Sequence, residues 1–302
     1  MRDIVMPEVK DNIHRIRIVS PSGAINPDLI DGATERLRCW GFEVTEGRFA
    51  REVYGRFAGT EEQRINDLQD AINDESLTAI LCSRGGYGLA PIIDRVDFSP
   101  LIQHPKWLIG FSDITIIHAS LSCLGIPSLH AVMAKHLTEL PDDSDSLRYL
   151  KEILEGEIPK YHIAPDKLNR VGNVKGKLVG GNLSVLMGLR GTAFEPTYDG
   201  AVLFLEEIAE EPYHIDRMLQ NLRMGGVFNK ISGLIVGHFT NCTEDPLMQK
   251  SVKEIVLDAT AGVGFPVCFG FPSGHEDENL PLIMGREVTL KVTTSEVMVN
   301  FN

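Results

Sequence analysis

The sequence lacks the excess of positive charge that a nucleic-acid partner demands. Its formal net charge is −13, from 29 Lys and Arg against 42 Asp and Glu, and affinity for a phosphate backbone is built from clustered cations. It also lacks any apolar run near the roughly 18 residues that span a bilayer. The opening residues Met1-Arg2-Asp3-Ile4-Val5 do not follow the basic, apolar, small-residue order of a secretion signal. The expectation is a soluble, cytoplasmic protein with neither nucleic acid nor membrane as partner. The cysteines Cys39, Cys82, Cys123, Cys242 and Cys268 are odd in number, widely spaced and free of any C-x-x-C pair. That excludes a disulfide framework or a cysteine zinc site as the organising principle. G-x-G-x-x-G and P-loop patterns are missing too, so dinucleotide or ATP binding is poorly supported.

What is present is enough for a sizeable core. The 302 residues, 43% hydrophobic, suit two domains or one large one. Arg15 to Val19 reads as a strand, and Asn26-Pro27 opens a helix carrying Ile30, Ala33, Leu37 and Trp40 at helical spacing. Gly41-Phe42-Glu43-Val44 turns into a second strand, and Thr60-Glu61-Glu62-Gln63 has capping-box form ahead of Ile65, Leu68 and Ile72. Residues 78–82 and 107–109 read as further buried strands. Strands alternating with helices imply an α/β fold with a parallel sheet. Leu140-Pro141-Asp142-Asp143 breaks the pattern, and Pro159 and Pro165 follow. The expected organisation is therefore an N-terminal domain over 1–140, a connection over 141–171 and a C-terminal domain over 172–302. In the latter, residues 201–205 and 233–236 are strands, helices carry Ile215 to Leu222 and Val252 to Val256, and 288–301 alternates as a closing hairpin.

Ligands of parallel sheets bind at the carboxyl ends of strands, and three such ends carry chemistry. Ser112, in Trp107-Leu108-Ile109-Gly110-Phe111-Ser112-Asp113, sits on a strand-to-helix corner. Such a corner exposes a nucleophile beside free amides, but Ser followed by Asp equally suits a helix cap. Ser83-Arg84-Gly85-Gly86-Tyr87-Gly88 places adjacent glycines where backbone N–H groups can face a ligand; a plain turn is the alternative. Residues 202–205 end in Glu206-Glu207, where a carboxylate can orient an imidazole or simply begin a helix.

Of nine histidines, His275 stands out in the polar loop 271–279. His275-Glu276-x-x-Asn279 lacks the second His of the zinc motif, and Gly274 argues against a helix there. His14, His104, His162 and His238 lack supporting context, and His118 falls within an apolar helix. A Ser–Glu–His hydrolase is compatible with these parts and not compelled by them.

Taken in order, S-R-G-G-Y-G (83–88), P-K-W-L-I-G-F-S-D (105–113), G-G-N-L (180–183), L-F-L-E-E (203–207), P-Y-H-I-D-R-M-L (212–219) and G-H-x-x-x-N (274–279) resemble the LD-carboxypeptidase family of serine peptidases. The resemblance spans nearly the whole chain. It implies a Rossmann-like N-terminal domain carrying the serine and a smaller mixed α/β C-terminal domain carrying Glu and His, with the site between them in a homodimer. Carried over by motif, Ser112 is the nucleophile, His275 the general base and Glu206 the orienting carboxylate, with Glu207 its rival. The amides of Gly86 and Asp113 form the oxyanion hole. Arg84 and Gly85 are candidates for substrate binding, the guanidinium because it pairs bidentately with a carboxylate. The implied reaction removes terminal D-Ala from a muropeptide tetrapeptide in peptidoglycan recycling, without metal or organic cofactor. The family also holds microcin C immunity peptidases that cleave a peptidyl-nucleotide, and Arg190 stands where a purine-stacking aromatic would favour that reading. A non-catalytic muropeptide-binding protein is the further alternative, disfavoured because Ser112, Glu206 and His275 are all present.

Overall fold

The computed structural model describes residues 14–242 and 245–302; the N-terminal residues read above for a secretion signal lie outside them. The chain forms two compact units. One comprises the residues up to Glu157 together with Leu280–Gly285, the other Ile158–Asn279 and Arg286–Asn302.

The first unit is built from β1 (Arg15–Val19), α1 (Pro27–Cys39), β2 (Glu43–Glu46), α2 (Glu61–Asn73), β3 (Ala79–Cys82) and α3 (Pro100–Gln103). It continues through β4 (Trp107–Gly110), α4 (Thr115–Leu124), β5 (Ser128–His130), α5 (Ala134–Glu139) and α6 (Asp145–Leu154). Local sequence explains the starts of the long helices. The Asn26 side chain accepts from Asp28 N with Pro27 in the first turn. Thr60 and Gln63 complete both halves of the expected capping box. Burial then fixes which face turns inward: Ile30, Ala33 and Leu37 of α1, and Ile65, Leu68 and Ile72 of α2, are buried. Strands β3 and β4 are buried at every residue, as strands covered on both faces require.

Strands β1 to β5 pair in parallel in the order β5-β4-β3-β1-β2. A sixth, β11 (Leu282–Met284), pairs antiparallel with β5 from far along the chain. The stretch 141–171, expected as a connection, is divided between the units. Helix α6 buries Leu147, Leu150, Ile153 and Leu154 in the first, and β6 (Lys160–Ile163) joins the sheet of the second.

The second unit adds β7 (Gly172–Asn182), α7 (Leu183–Gly188), β8 (Val202–Ile208), α8 (Pro212–Met224), β9 (Gly233–Thr240), α9 (Val252–Ala259) and β10 (Val267–Phe269). It closes with β12 (Glu287–Val292) and β13 (Val297–Phe301). Its sheet runs β10-β9-β8-β7-β12-β13-β6. The half from β10 to β7 is parallel and the remainder antiparallel. The antiparallel half includes the expected closing hairpin, with Val288, Leu290 and Val292 opposite Phe301, Val299 and Val297. Ile215, Leu219 and Leu222 of α8 and Ile255, Val256 and Ala259 of α9 share one buried cluster with Leu203, Leu205 and Leu234. Each such Leu or Ile contributes roughly 1.5–3 kcal/mol by leaving water. Strand β8 is buried through Glu207, so two adjacent carboxylates are drawn into the interior at its end. Among the described residues, no helix is long and apolar enough to cross a membrane.

Candidate active site

In the first unit, β4 ends at Gly110 and the chain turns through a short 3-10 segment, Ser112–Ile114, into α4. Ser112 makes the corner at φ 66°, a left-handed conformation that costs a non-glycine residue of order 1–3 kcal/mol. The hydroxyl does not cap the helix: neither the 3-10 segment nor α4 has a side-chain cap bond. The cap reading of Ser112 is thereby replaced by a held, strained corner. Its side chain is half-buried and lies against the glycine loop. A Cβ built on Gly85 would fall 2.7 Å from Ser112 Cβ and 3.0 Å from its Oγ. Only glycine lets the backbone approach the hydroxyl this closely. Gly86 follows at φ 102°, the positive-φ turn expected of a loop that presents amides.

The carboxylate of Asp113, 3% exposed, locks this arrangement. It accepts from Ser22 Oγ at 2.5 Å and from Leu89 N at 3.0 Å. Burial pushes its pKa up, opposed by the bond from Ser22 and those from the backbone. A second clasp joins the same loops, Gly23 N donating to Gly85 O at 3.1 Å. Arg64, buried beneath, donates to the carbonyls of Pro21 and Gly88 at 3.0 and 2.5 Å. Ser22 and Gly23 contribute to this arrangement without having stood out in the sequence. Their signal was the small, turn-forming run Ser20-Pro21-Ser22-Gly23 after β1, the strand next to β3. Arg84 is exposed, with Nη1 donating to Ala24 O at 2.7 Å. Its guanidinium thus rests on the loop after β1.

In the second unit, loop 271–279 is strapped across the ends of β8 and β9. Phe271 N donates to Val236 O at 3.1 Å and His238 N to Ser273 O at 2.9 Å. Asn279 Oδ1 accepts from Ser273 Oγ and Gly274 N, both at 3.0 Å. These contacts aim His275 at β8, where its Nδ1 lies 2.6 Å from Glu206 Oε2. Glu206 is fully buried and the imidazole 13% exposed. Because a carboxylate only accepts, the proton of this bond is carried by Nδ1. The other Glu206 oxygen, Oε1, has no hydrogen-bond partner among the described residues.

Glu207 turns the other way. A register shift between Leu205 and Glu207 sends its carboxylate to Asn182 Nδ2 at 2.8 Å, Ser184 N at 2.7 Å and its neighbour Ile208 N at 2.9 Å. Burial raises its pKa, the three donors pull it down, and Glu206 adds a smaller push upward. Of the two adjacent acids, only Glu206 meets His275. Asn182 and Ser184, which hold Glu207, carried no chemical signal in the sequence beyond following two glycines.

The remaining histidines near Ser112 in sequence are in the first unit's interior. His118, expected to be packed, is buried with Nδ1 2.8 Å from Ser128 Oγ and Nε2 2.8 Å from Gly110 O. Burial lowers its pKa to about 4. Phe111 packs between the rings of His130 and His136, at 5.8 and 5.6 Å between centroids. Among the described residues, no three His, Cys, Asp or Glu side chains gather as a metal-holding cluster.

The sequence matches two family descriptions: the LD-carboxypeptidase N-terminal domain over residues 16–131 and the LD-carboxypeptidase C-terminal domain over 175–290. A Synechocystis sp. protein, named provisionally as a carboxypeptidase, is 37% identical over 282 residues, 91% of each chain. The murein tetrapeptide carboxypeptidase of Pseudomonas aeruginosa is 30% identical over 292 residues, covering 92% of this chain and 93% of that protein. The crystal structure of muramoyltetrapeptide carboxypeptidase from Oxalobacter formigenes superposes with a TM-score of 0.88 at 25% identity, over 95% of this chain and 98% of that one. The microcin C7 self-immunity protein shares the fold, with a TM-score of 0.86 at 20% identity over 98% of each chain.

Proposed function

Given that the chain belongs to the LD-carboxypeptidase family of serine peptidases, we propose that it removes the terminal D-Ala from murein tetrapeptides by acyl transfer through Ser112. The observation that carries the mechanism is the contact of His275 Nδ1 with the fully buried Glu206 carboxylate at 2.6 Å. It fixes the imidazole tautomer and stabilises the cation that forms when Nε2 takes a proton.

In this mechanism His275 Nε2 accepts the proton of Ser112 Oγ as Oγ attacks the carbonyl before D-Ala. The negative charge that develops on the carbonyl oxygen is met by the amides of Gly86 and Asp113. The protonated imidazole then gives its proton to the departing amine, the C–N bond breaks and D-Ala leaves. Water, activated by the same nitrogen, attacks the acyl-serine ester and releases the tripeptide with Ser112 restored. Arg84 supplies a guanidinium for the substrate's terminal carboxylate. The role is in peptidoglycan recycling, on fragments already released from the wall. The backbone strain held at Ser112 supports a functional role for this corner, since strain of this kind concentrates at active sites and ligand clamps. Arg190 is in an ion pair with Glu195, so the position where a base-stacking aromatic would favour a nucleotide substrate is occupied by a committed cation.

The test is release of D-Ala from a muramyl tetrapeptide, followed by mass spectrometry, for the wild type and for Ser112→Ala. Release by the wild type alone supports both the bond cleaved and the nucleophile. Release by both removes Ser112 from the mechanism, and release by neither overturns the carboxypeptidase reading and directs the assay to aminoacyl-nucleotides.

A further inference from the structure

The loop between β2 and α2 is long for a connection between a strand and a helix, and its tip is folded on itself. Tyr54 N donates to Phe57 O at 2.8 Å and Phe57 N returns the bond to Tyr54 O at 3.1 Å. This tight hairpin presents Val53 and Tyr54 to solvent, each 64% exposed. Tyr87, from the glycine loop, is 47% exposed, and its ring lies 6.0 Å from that of Phe57. Among the described residues, the Arg56 guanidinium has no ion pair or side-chain hydrogen bond. Exposed tyrosines beside an uncommitted arginine are residue types enriched where proteins bind other molecules.

Backbone hydrogen bonds tie the hairpin to the reacting end of the sheet. Ala24 N donates to Arg56 O at 2.9 Å, and next door Gly23 N donates to Gly85 O at 3.1 Å. Gly85 in turn abuts Ser112. Beneath Phe57, the Arg64 guanidinium lies 5.0 Å from the ring centroid. The hairpin is therefore a fixed part of the carboxyl edge, where parallel sheets bind ligands.

Sheet order gives the scale. Ser112 follows β4, the glycine loop β3, the Ser20–Asn26 turn β1 and the hairpin β2, neighbours in that sequence across the sheet. Three strand spacings of about 4.8 Å put the hairpin about 14 Å from the nucleophile. A carboxypeptidase has only one residue on the leaving side, so a surface that far away can meet only the acyl side. Three extended residues of the peptide stem reach about 10 Å. Beyond that length the substrate is the sugar to which the stem is attached.

We infer that the Tyr54–Phe57 hairpin and Tyr87 form a subsite for the amino-sugar end of the muropeptide. The inference rests on the carboxypeptidase reading and says which form of the substrate that reading prefers. The tyrosine rings cover the apolar face of the pyranose, and the planar donors of Arg56 reach its ring substituents and amide oxygen.

The experiment compares kcat/KM for N-acetylmuramoyl tetrapeptide and the free tetrapeptide, in the wild type, Tyr54→Ala, Arg56→Ala and Tyr54→Phe, with sedimentation equilibrium on each. The wild type should prefer the sugar-linked form by about tenfold, carried by KM, the scale of one stacked ring. Tyr54→Ala and Arg56→Ala should bring that ratio close to one, and Tyr54→Phe should retain it. A wild-type ratio near one, or a ratio unmoved in both alanine variants, overturns the subsite while leaving the carboxypeptidase in place. Equal loss on both substrates together with a changed mass assigns the hairpin to a contact between copies of the chain and also overturns it. Cleavage of neither substrate by the wild type is instead the failure of the carboxypeptidase reading itself.

Discussion

His275 Nδ1 lies 2.6 Å from Glu206 Oε2, while Glu207, the next residue, is bonded to Asn182, Ser184 and Ile208. Two acids that look equivalent in sequence thus have separate tasks. One orients an imidazole, and the other ties β8 to the start of α7. Glu206→Gln should lower kcat by about 10²–10⁴-fold with little change in stability, because the wrong tautomer is then favoured. Glu207→Gln should leave kcat within about tenfold and lower stability by about 1–3 kcal/mol, the cost of mismatched buried donors. Steady-state kinetics and thermal unfolding on both variants separate the two effects. The reverse pattern would move the orienting role to Glu207.

Gly85→Ala should act on Ser112 directly. The added methyl would stand 2.7 Å from Ser112 Cβ and 3.0 Å from Oγ, so either the loop or the hydroxyl must shift. Misplacing a reacting atom by about 1 Å can cost about 100-fold in rate. We expect a kcat loss of that order in a protein that still unfolds cooperatively. Wild-type turnover would mean that the loop gives way without consequence for the serine.

Asp113 holds the loops that flank Ser112, through Ser22 and Leu89, and it does so from a buried position. Asp113→Asn places an amide donor against those donors and should lower kcat by about tenfold or more. Ser22→Ala removes one partner and should cost about 0.5–1.5 kcal/mol of stability with a smaller kinetic effect. The pH dependence has a definite sign. Burial raises the folded pKa above 3.8, so the folded state holds this proton more tightly than the unfolded one. The stability associated with the group is present in acid and is lost as pH rises from 3.8 through the raised value. The Asn variant should lack that slope when unfolding is followed across the same range. A slope identical to the wild type would mean that another group is responsible.

His118 titrates in the opposite sense. Its folded pKa is about 4, against 6.5 for the free side chain. Below 6.5 the unfolded chain takes up the proton and the folded one does not, so stability falls as pH drops from 6.5 to about 4. The contribution reaches about 3 kcal/mol at full development. His118→Gln, which can keep one of the bonds to Ser128 and Gly110, should show a urea midpoint that changes less between about pH 7 and about pH 4.5. An unchanged difference between the two pH values would remove His118 from the acid response.

Much of this was readable in the chain because it depended on neighbours in sequence. The Asn26 and Thr60 caps, the buried runs 79–82 and 107–110, and the alternation at 288–301 each encode their own element. Ser112 and the Gly85-Gly86 pair were visible because a strand followed by small residues marks a carboxyl end. What was hidden depended on residues far apart. Nothing local distinguishes Leu282-Ile283-Met284 as a strand; its partners, Ser128 to His130, lie some 150 residues earlier. Tyr161 is the single buried side chain of β6, too little to reveal a strand between two prolines. Ser22 gave no sign that its hydroxyl would meet Asp113, and Asn182 and Ser184 gave none that they would claim Glu207. The division of labour between Glu206 and Glu207 was half legible. Adjacent strand residues face opposite ways, so only one of the two rivals could face His275, and the loop holding His275 decided which.

The return of β11 to the first sheet carries a consequence for how the protein is made. Strand β5 is the penultimate strand of that sheet, and among the described residues its outer edge is paired only by Leu282–Met284. While a ribosome is still synthesising residues 158–279, that edge is bare. A bare edge invites pairing with other chains. Nascent chains and truncations ending after α6 should therefore be the species that recruit chaperones or aggregate, even though nearly all of the first unit's sequence is already present. The protein is two units in space, yet in time its first unit is finished almost last.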